Sequence, residues 1–390
     1  MAKHWVTMGH QVTVLTDFPN HPDGKVYPDY KKRFLLFSFT EQDGEIRVVR
    51  AAHVVRPNKG SLNRLISYSS FTASAAFRAI PIRNVDVVIG TVPQPLHALA
   101  AWFKARLGRV PFILEIRDLW PESVAGTGQS SESSLSYRFL SRVARFLYSR
   151  ADAHVAVTDA IKDWTVEHYG VDESNSTVIP AGVDAEFFRS PSKPSDSNTD
   201  SQFVVTYVGT LGNAHGIEVI LEAAKQIENS HPQITFSIVG AGADYDRLTD
   251  IARDRQLKNV TFTGRVSRNE IPGILGDADL CLAVLRDSPV FRTAVPTKLY
   301  EYMAAGKPMI TNVAGEATKL IERSGSGVVV PPADADALAT AILELHDDPE
   351  RCKSLGAAGR AFVEAEARWE SRAELYESVL RQAVERRRNS

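Results

Sequence analysis

The 390-residue sequence predicts an α/β fold made of two halves, each a doubly wound parallel sheet with helices on its faces. Two observations predict this fold. Short runs rich in β-branched residues alternate with helical stretches, and this alternation stops at a polar segment and then restarts. The chain length also agrees with two domains of ordinary size.

The first half contains short runs that predict strands and longer stretches that predict helices. The strand runs are rich in Val, Ile and Thr, which fit the pleated, buried surface of a parallel sheet. Strands are expected at 11–16, 46–50, 85–90, 111–116, 153–158 and 176–180. Helices are expected at 61–80, 94–107, 136–150 and 159–168.

A polar segment, 189–201, contains no large apolar residue and predicts a solvated linker. After it the alternation restarts, and the tail from 334 to the end is expected to be helical throughout. Strands are expected at 203–208, 234–239, 260–263, 280–285, 309–312 and 327–330, and helices at 215–229, 243–255, 268–276, 297–305 and 314–323. The resulting domains are 1–188, 202–365 and a C-terminal helix, 366–390, expected to pack back across both.

Residues 1–9 predict the second half of an amphipathic helix that ends at Gly9. A Rossmann-like half starts with a strand and a glycine-rich turn before such a helix, and here both are missing. Either the fold begins unusually or the recorded start lies downstream of the true one, and we expect the second. The segment has no apolar h-region, so we expect no signal peptide.

Composition excludes several classes of protein. A net charge of −2 argues against a general polyanion binder, and only two cysteines, Cys281 and Cys352, argue against a disulfide scaffold. No cysteine and histidine cluster has the spacing of a zinc site, and no apolar run is long enough for a transmembrane helix. A cytoplasmic protein is therefore expected.

The segment 292–308 is the most informative one for chemistry. Pro296 suits the first position of a helix and Gly306 its C-terminal cap. The free N–H groups at the start of this helix, with Lys298 in its first turn, predict an anion site. Glu301 lies one turn further on, where its carboxylate could hold two ribose hydroxyls. The alternative is an ordinary amphipathic helix with a surface glutamate.

Two other segments point the same way. Residues 208–212 follow a strand and precede a helix, and their small side chains let the backbone approach a phosphate closely. The alternative there is a plain turn between strand and helix. Residues 179–188 lie just before the linker, and their alternative is a tight turn with a hydrophobic anchor.

The three segments together, in this order, resemble those of retaining GT-B glycosyltransferases of the family-four type. IPAGVDAEFF resembles the interdomain motif, and YVGTLGNAHGIEVILEAA resembles the first strand, loop and helix of the donor domain. VGAGADYDRL, NVTFTGRV and PTKLYEYMAAGKPMI follow in the family's order. The N-terminal segments AKHWVTMGHQVTVLTDFPNHPDG and FILEIRDLWPES resemble a bacterial subgroup that assembles O-antigen or colanic acid, with some members handling N-acetyl-L-fucosamine.

This resemblance implies two Rossmann-like domains facing a cleft and a role for each matching residue. Glu301 would hold the donor ribose, and Asp118 and Arg117 occupy the place of a family active-site segment. The loop with Gly209, Thr210, Gly212 and His215 would meet the diphosphate, as would Thr293, Ala294, Val295, Pro296, Thr297 and Lys298. Gly264, Arg265 and Val266 would lie near the base. A UDP-sugar donor and a saccharide or polyprenyl-diphosphate-linked acceptor are expected, with no nucleic acid partner.

Two departures from the family pattern concern the donor. Thr293 stands where the family often has the first of two glutamates, and His215 stands where it usually has a phosphate lysine. An ordinary histidine is largely neutral at pH 7, so Lys298 and the helix N-terminus would hold most of the phosphate charge. No metal is expected, and Asp277 and Asp279 are interpreted as a helix cap.

Two helical segments could meet a lipid-linked acceptor at a membrane. Residues 136–150 and 61–83 combine arginines with large apolar side chains, as interfacial helices do. The alternative is a core helix with a solvated arginine face. Two other functions stay open: a GT-B-type nucleotide-sugar 2-epimerase, and a non-catalytic subunit that binds a nucleotide sugar.

Overall fold

The computed structural model describes residues 1–20, 25–34, 38–56, 61–126, 133–189 and 202–389. These residues form two compact units. The first unit comprises Met1–Pro180 and the helix that begins at Trp369, and the second comprises Ala181–Arg368. Each unit is built on parallel sheet with flanking helices, so the predicted fold class is confirmed.

The first unit has seven strands within the described residues. They are β1 (Thr13–Thr16), β2 (Ser38–Asp43), β3 (Ile46–Ala51), β4 (Val88–Val92), β5 (Phe112–Ile116), β6 (Ala153–Ala156) and β7 (Ser176–Val178). They form a three-stranded sheet in the order β1-β3-β2 and a four-stranded sheet in the order β4-β5-β6-β7. Only β2 is antiparallel to its neighbour, through a turn at Gly44, which has a φ of +61°. The sequence analysis missed β2 because its polar residues lack a strand's β-branched pattern.

The second unit has one sheet of six parallel strands. They are β8 (Phe203–Val208), β9 (Ile234–Val239), β10 (Val260–Gly264), β11 (Leu280–Ala283), β12 (Met309–Thr311) and β13 (Gly327–Val329). Their order is β10-β9-β8-β11-β12-β13. From β8 the chain adds β9 and β10 on one side of the sheet, and it then adds β11, β12 and β13 on the other side of β8. The direction in which strands are added therefore reverses between β8 and β11.

Fifteen helices are present in the described parts of the chain. In the first unit these are α1 (Ala2–Thr7), α2 (Lys31–Phe34), α3 (Ser61–Ala79), α4 (Pro95–Gly108), α5 (Glu122–Gly126), α6 (Leu135–Arg150) and α7 (Asp159–Tyr169). The rest are α8 (Glu218–Ile227), α9 (Tyr245–Asp254), α10 (Ile271–Asp277), α11 (Thr297–Ala304), α12 (Glu316–Ser324), α13 (Ala335–Asp347), α14 (Pro349–Glu366) and α15 (Trp369–Arg388). None of them is both long and apolar enough to cross a bilayer.

The helical tail that the sequence predicts is confirmed, and it consists of three helices because the chain breaks twice. Asp348 ends α13, since a residue before proline is disfavoured in helical conformation, and its carboxylate accepts the Arg351 N–H at 2.9 Å. A second break comes at 367–368, where the Ala367 carbonyl accepts the Val183 N–H at 2.8 Å. The last helix, α15, belongs to the first unit.

The unit boundaries differ from the predicted domain boundaries for a reason visible in the core. Val183, Ala185 and Phe188 are buried in the hydrophobic core of the second unit, together with Leu299 and Met303 of α11. The interdomain motif therefore begins the second unit instead of ending the first. Of the predicted linker, 190–201 lies outside the described residues.

Candidate functional site

The reversal of strand order in the second unit marks the place where a ligand site is expected. In open parallel sheets, ligands bind outside the carboxyl ends of the strands where the order reverses. Here the loop that follows β8 and the segment between β11 and α11 both start from that edge. Most of the predicted donor residues lie on these two segments.

The loop after β8 packs against the loop after β9 through backbone atoms. The Gly209 N–H donates to the Val239 carbonyl at 2.9 Å. A Cβ on Gly240 would lie 1.8 Å from the Gly209 carbonyl oxygen, and Gly240 has a φ of +148°. Because a Cβ would overlap the neighbouring loop, only glycine can occupy position 240. The predicted phosphate loop, with Thr210 and Gly212, is held in this way.

Lys298 brings a buried positive group to the same loop. Its Nζ lies 3.8 Å from the centroid of the Tyr207 ring, and a Cβ on Gly209 would lie 2.6 Å from that Nζ. The Nζ is buried and has no hydrogen-bond partner in the described structure. Burial lowers the pKa of Lys298 to about 7, although the Glu301 carboxylate acts in the opposite direction.

The register of α11 on the sheet is fixed by Tyr302. Its hydroxyl accepts the Val208 N–H at 3.1 Å and donates to the Leu282 carbonyl at 3.2 Å. The start of α11, after Pro296, is thereby tied to the ends of both β8 and β11. The first N–H groups of a helix have no acceptor within it, so they remain available for an anion.

The segment before α11 contains the other predicted diphosphate contacts. Thr293 is buried, and its hydroxyl donates to the Val290 carbonyl at 2.8 Å. Ala294 and Val295 follow as extended, half-buried backbone that leads into Pro296 and the exposed Thr297. Backbone groups, rather than the Thr293 side chain, are therefore what this segment offers to a ligand.

Glu301 lies one helical turn beyond Lys298 and is half-buried. Burial raises the pKa of this carboxyl, and the charges of Arg268 and Lys298 oppose that rise. The Arg268 guanidinium lies 5.2 Å from the centroid of the Phe187 ring. A carboxylate in such a position can accept two hydrogen bonds, as the ribose hypothesis requires.

His215 lies at the far end of the loop after β8. Burial lowers the pKa of its imidazole to about 4, and the nearby charge of Lys298 lowers it further. His215 is therefore neutral at physiological pH, and its Nδ1 lies 3.3 Å from the Gly212 carbonyl oxygen. His215 therefore adds no positive charge beside Lys298 and the N-terminus of α11.

The third loop follows β10 and carries Gly264, Arg265 and Val266. Gly264 has a φ of +75°, and its carbonyl accepts the Gly240 N–H at 2.9 Å. Arg265 is exposed, whereas Val266 packs against the core. The structure thus brings the three predicted base residues to the same edge of the sheet as Gly209.

Sequence reasoning missed a group of residues that holds the loop after β8. Arg286 donates its backbone N–H to the Ala214 carbonyl at 2.9 Å, and its guanidinium lies 2.8 Å from Glu218. Glu218 also pairs with Arg247 at 2.7 Å. No motif identifies these residues, although the position of Arg286 just after a buried strand is a weak signal.

Arg117 and Asp118 lie at the carboxyl end of β5, in the first unit. Their side chains meet different surroundings, because Arg117 is exposed while Asp118 is half-buried. Burial raises the pKa of Asp118 to about 6, although a hydrogen bond from the Leu119 backbone N–H and the nearby Ser123 side chain act in the opposite direction. The carboxyl end of a parallel sheet suits a ligand site.

Buried polar residues lie close to Asp118. Glu122 accepts a hydrogen bond from the Tyr169 hydroxyl at 2.5 Å, and its charge adds to the rise in the pKa of Asp118. Among the described residues, the other Glu122 oxygen and the Tyr148 hydroxyl are buried and have no hydrogen-bond partner.

Within the described ranges, no three His, Cys, Asp or Glu side chains are gathered as metal ligands would be. Asp279 accepts the Val204 N–H at 2.8 Å, and Asp277 is the last residue of α10. Asp277 thus ends a helix as predicted, whereas Asp279 holds the start of β8 and does not cap α10.

Two protein-family models match the chain and together span most of it. Residues 1–187 match the model described as Glycosyltransferase Family 4, and residues 189–362 match the model described as Glycosyl transferases group 1. Both are models of glycosyltransferases, so the matches do not favour the epimerase or the non-catalytic subunit.

Curated relatives agree with the family models. The glycosyltransferase WbjE of Pseudomonas aeruginosa is 28% identical over 79% of this chain and 78% of its own length. The colanic acid biosynthesis glycosyl transferase WcaI of Escherichia coli K12 is 24% identical over 88% of this chain and 86% of its own.

Solved structures share the fold. The sucrose-phosphate synthase of Thermosynechococcus elongatus superposes with a TM-score of 0.77 at 20% identity, covering 98% of this chain and 91% of that protein. HepE of Anabaena, solved with UDP and glucose, superposes with a TM-score of 0.69 at 18% identity, covering 95% and 99%. With two Rossmann-like units, both family models and these relatives, the chain belongs to the GT-B glycosyltransferases of the family-four type.

Proposed function

We propose that this glycosyltransferase moves a hexosyl or N-acetylhexosaminyl group from a UDP-sugar to a saccharide or polyprenyl-diphosphate-linked acceptor. The reaction retains the anomeric configuration and serves the synthesis of a bacterial surface polysaccharide. The observation that carries the proposal is the buried, unpartnered Nζ of Lys298 beside Gly209 and the start of α11. WcaI and HepE support it, the first as a colanic acid biosynthesis glycosyl transferase and the second by its bound UDP.

The chemistry follows from where negative charge develops. In the transfer, the bond between the anomeric carbon and the β-phosphate oxygen breaks, and a bond from an acceptor hydroxyl oxygen to that carbon forms. The electron pair of the broken bond remains on the departing diphosphate, and the proton that the acceptor hydroxyl loses passes to that diphosphate or to solvent. A fixed ammonium and free helix N–H groups stabilise that charge without reorganising during the reaction. Lys298 and residues 294–297 supply these groups, so we propose that no metal ion is required.

We propose the following positions for the rest of the donor. The Glu301 carboxylate accepts hydrogen bonds from the two ribose hydroxyls, and the loop with Gly264, Arg265 and Val266 borders the base. Gly209, Thr210 and Gly212 present backbone to the diphosphate. Neutral His215 adds a hydrogen-bonding group without charge. Arg117 and Asp118 act on the acceptor side, and the segment 136–150 faces the membrane that carries a lipid-linked acceptor.

The donor assignment is tested with Glu301→Gln and two nucleotides. We expect UDP to bind the variant at least about tenfold more weakly, since a hydrogen bond to a charged group contributes about 1.5–3 kcal/mol. A dideoxy-UDP without ribose hydroxyls should bind the variant and the unchanged protein equally. Isothermal titration calorimetry measures both, with Glu322→Gln on the exposed side of α12 as the matched control.

Equal loss of affinity for both nucleotides would assign Glu301 a structural role. No binding of UDP, GDP or their sugars by the unchanged protein would refute the donor site itself.

A further inference from the structure

Polar side chains meet in the first unit where three of its parallel strands end. His53 follows β3, Gln94 follows β4 and Trp120 follows β5. Ring contacts join these strand ends, because Phe71 of α3 lies against both His53 and His97, with centroids 6.0 and 4.6 Å apart. His97 lies in the first turn of α4, which Gln94 precedes. The three polar residues are named here the His53-Gln94-His97 cluster.

Four polar atoms of this cluster are buried and have no hydrogen-bond partner among the described residues. They are both amide atoms of Gln94, Nδ1 of His53 and Nε2 of His97. Gln94 is only 9% exposed, so water at the surface cannot satisfy its amide. Buried polar side chains are nearly always paired, because an unpaired one has lost its bonds to water without replacement. The cluster therefore lacks a partner that presents several hydrogen-bonding groups together.

The Gln94 side chain forms no hydrogen bond that the described part of the fold needs. Gln94 is the N-cap of α4, but its side chain does not cap the helix, and only its backbone carbonyl accepts the His97 N–H, at 3.0 Å. Burial raises the pKa of the Tyr68 hydroxyl, and the Arg64 charge and the Gln94 amide act in the opposite direction. The amide thus lies beside a phenol without a hydrogen bond of normal geometry. An apolar side chain of the same length would serve the fold equally well.

The two imidazoles of the cluster are uncharged at physiological pH. Burial lowers the pKa of His97 to about 4, and the charge of His53 lowers it further. Burial also lowers the pKa of His53, although Asp17 acts in the opposite direction. A neutral imidazole has one nitrogen that donates and one that accepts. The cluster therefore offers donors and acceptors without a charge of its own, which suits hydroxyl groups better than a phosphate.

Aromatic rings border the cluster. The centroid of the Tyr68 ring lies 5.5 Å from that of His97 and 6.4 Å from that of Trp120. Tyr68 and Trp120 also line a groove together with Leu65 and Val124. A sugar ring presents hydroxyls at its edge, each of them both donor and acceptor, and C–H groups on its faces. A few converging polar groups beside aromatic and aliphatic side chains fit such a ring.

From the four unpaired atoms, the uncommitted Gln94 amide and the adjoining rings, we propose that the His53-Gln94-His97 cluster binds the sugar ring of an uncharged saccharide acceptor. The Gln94 amide donates to one hydroxyl of the sugar and accepts from another. His97 Nε2 and His53 Nδ1 bond to further hydroxyls, and the Tyr68 and Trp120 rings contact the C–H groups. This inference rests on the proposed function, because it names the part of the acceptor that the first unit recognises.

The test is saturation-transfer difference NMR of the full chain, with and without UDP. The probes are the methyl α-D-pyranosides of glucose, galactose and mannose, and N-acetyl-D-glucosamine. We expect at least one probe to bind the unchanged protein and to bind Gln94→Met about tenfold more weakly, since two ordinary hydrogen bonds are lost. His97→Phe, which keeps a ring beside Phe71, should weaken binding several-fold. Gln42→Met and His168→Phe, at exposed residues of the same unit, are the matched controls and should bind like the unchanged protein.

The stability of the unliganded protein separates ligand recognition from a structural role. Gln94→Met removes an unpaired amide and breaks no bond, so it should raise the midpoint of thermal unfolding by about 2–4 °C. A Gln94 that holds a buried structural water would instead lower the midpoint when replaced. A lower midpoint together with unchanged probe binding would overturn the proposal.

Two further results would also overturn it. One is the absence of binding by all four probes to the unchanged protein, and the other is equal loss of binding in the variants and their controls. Calorimetry with UDP keeps the donor site apart from this cluster, because Gln94→Met and His97→Phe should leave UDP affinity unchanged. A protein that binds a probe through Gln94 but binds no nucleotide would refute the proposed donor and leave the saccharide site intact.

Discussion

Lys298→Met isolates the contribution of one buried cation to donor binding. Met has a similar length and fills the space beside Tyr207 and Gly209 without a charge. The Nζ that it replaces has no hydrogen-bond partner in the described structure, so the substitution breaks no bond in the unliganded protein. We expect the variant to fold with equal or greater stability at pH 7 and to bind UDP poorly.

The magnitude follows from the type of bond that is lost. A hydrogen bond between a charged donor and a charged acceptor contributes about 1.5–3 kcal/mol, which corresponds to a loss of UDP affinity of about 10- to 100-fold. Because burial holds the pKa of Lys298 at about 7, the free site loses its ammonium as the pH rises above that value. The phosphate pKa of about 6 leaves UDP fully charged in this range, so the nucleotide does not produce the trend.

Calorimetric titration with UDP between about pH 7 and 9 measures this effect. Affinity of the unchanged protein should fall by up to tenfold per pH unit until it approaches that of Lys298→Met, whose affinity should not change with pH. The exposed Lys225→Met on α8 is the control and should keep the dependence of the unchanged protein. A pH-independent affinity of the unchanged protein would refute the reasoning, because it would mean that Lys298 does not supply the charge.

The stability of the unliganded protein gives an independent check on Lys298. Between pH 7 and the ordinary lysine pKa, Lys298 is protonated in the unfolded chain and largely neutral in the folded protein. The unfolding free energy of the unchanged protein should therefore rise with pH over this range, as measured by urea titration. Gly240→Ala should lower the unfolding free energy by about 2–3 kcal/mol, because its Cβ would overlap the Gly209 carbonyl, whereas Gly273→Ala, with nothing within 4 Å, should be neutral or stabilising. Asp118→Asn should raise the unfolding free energy at pH 7–8 by about 1–2 kcal/mol. The pKa of Asp118 is raised to about 6 in the folded protein, so ionisation of the carboxyl lowers the stability of the unchanged protein as the pH rises from 4 to 6. A variant that is no more stable than the unchanged protein at pH 8 would show that Asp118 ionises without cost.

The sequence predicted the parallel strands well, because buried strands need continuous β-branched runs that few other structures tolerate. In the second unit, Phe203–Val208 and Ile234–Val239 were predicted with their observed bounds. It missed β2, since an antiparallel edge strand with one solvated face needs no such run. It predicted the helical tail but not its two breaks, because the caps at Asp348 and Ala367 depend on single residues and on a contact with Val183.

The sequence predicted those site residues that lie in glycine-rich turns or at the start of a helix. It missed the residues whose role depends on contacts with partners distant in sequence. Gly209, Lys298 and Glu301 lie in motifs with recognisable spacing. Arg286 and Tyr302 act through partners about 70 and 90 residues away, respectively, and no local pattern announces such pairs. The depressed pKa of Lys298 likewise depends on burial by the Tyr207 ring, which only the folded chain reveals.

The three glycines at the ends of β8, β9 and β10 have a consequence for how donor preference changes over time. Gly209, Gly240 and Gly264 all have positive φ, and their backbones contact one another directly. In the proposed donor site, the floor beneath the donor would consist of peptide groups, whose chemistry no substitution elsewhere alters. Mutational drift in sugar or base preference would then act through the surrounding side chains, such as Arg265. Under this proposal a lineage can change its donor while the phosphate-binding geometry stays constant.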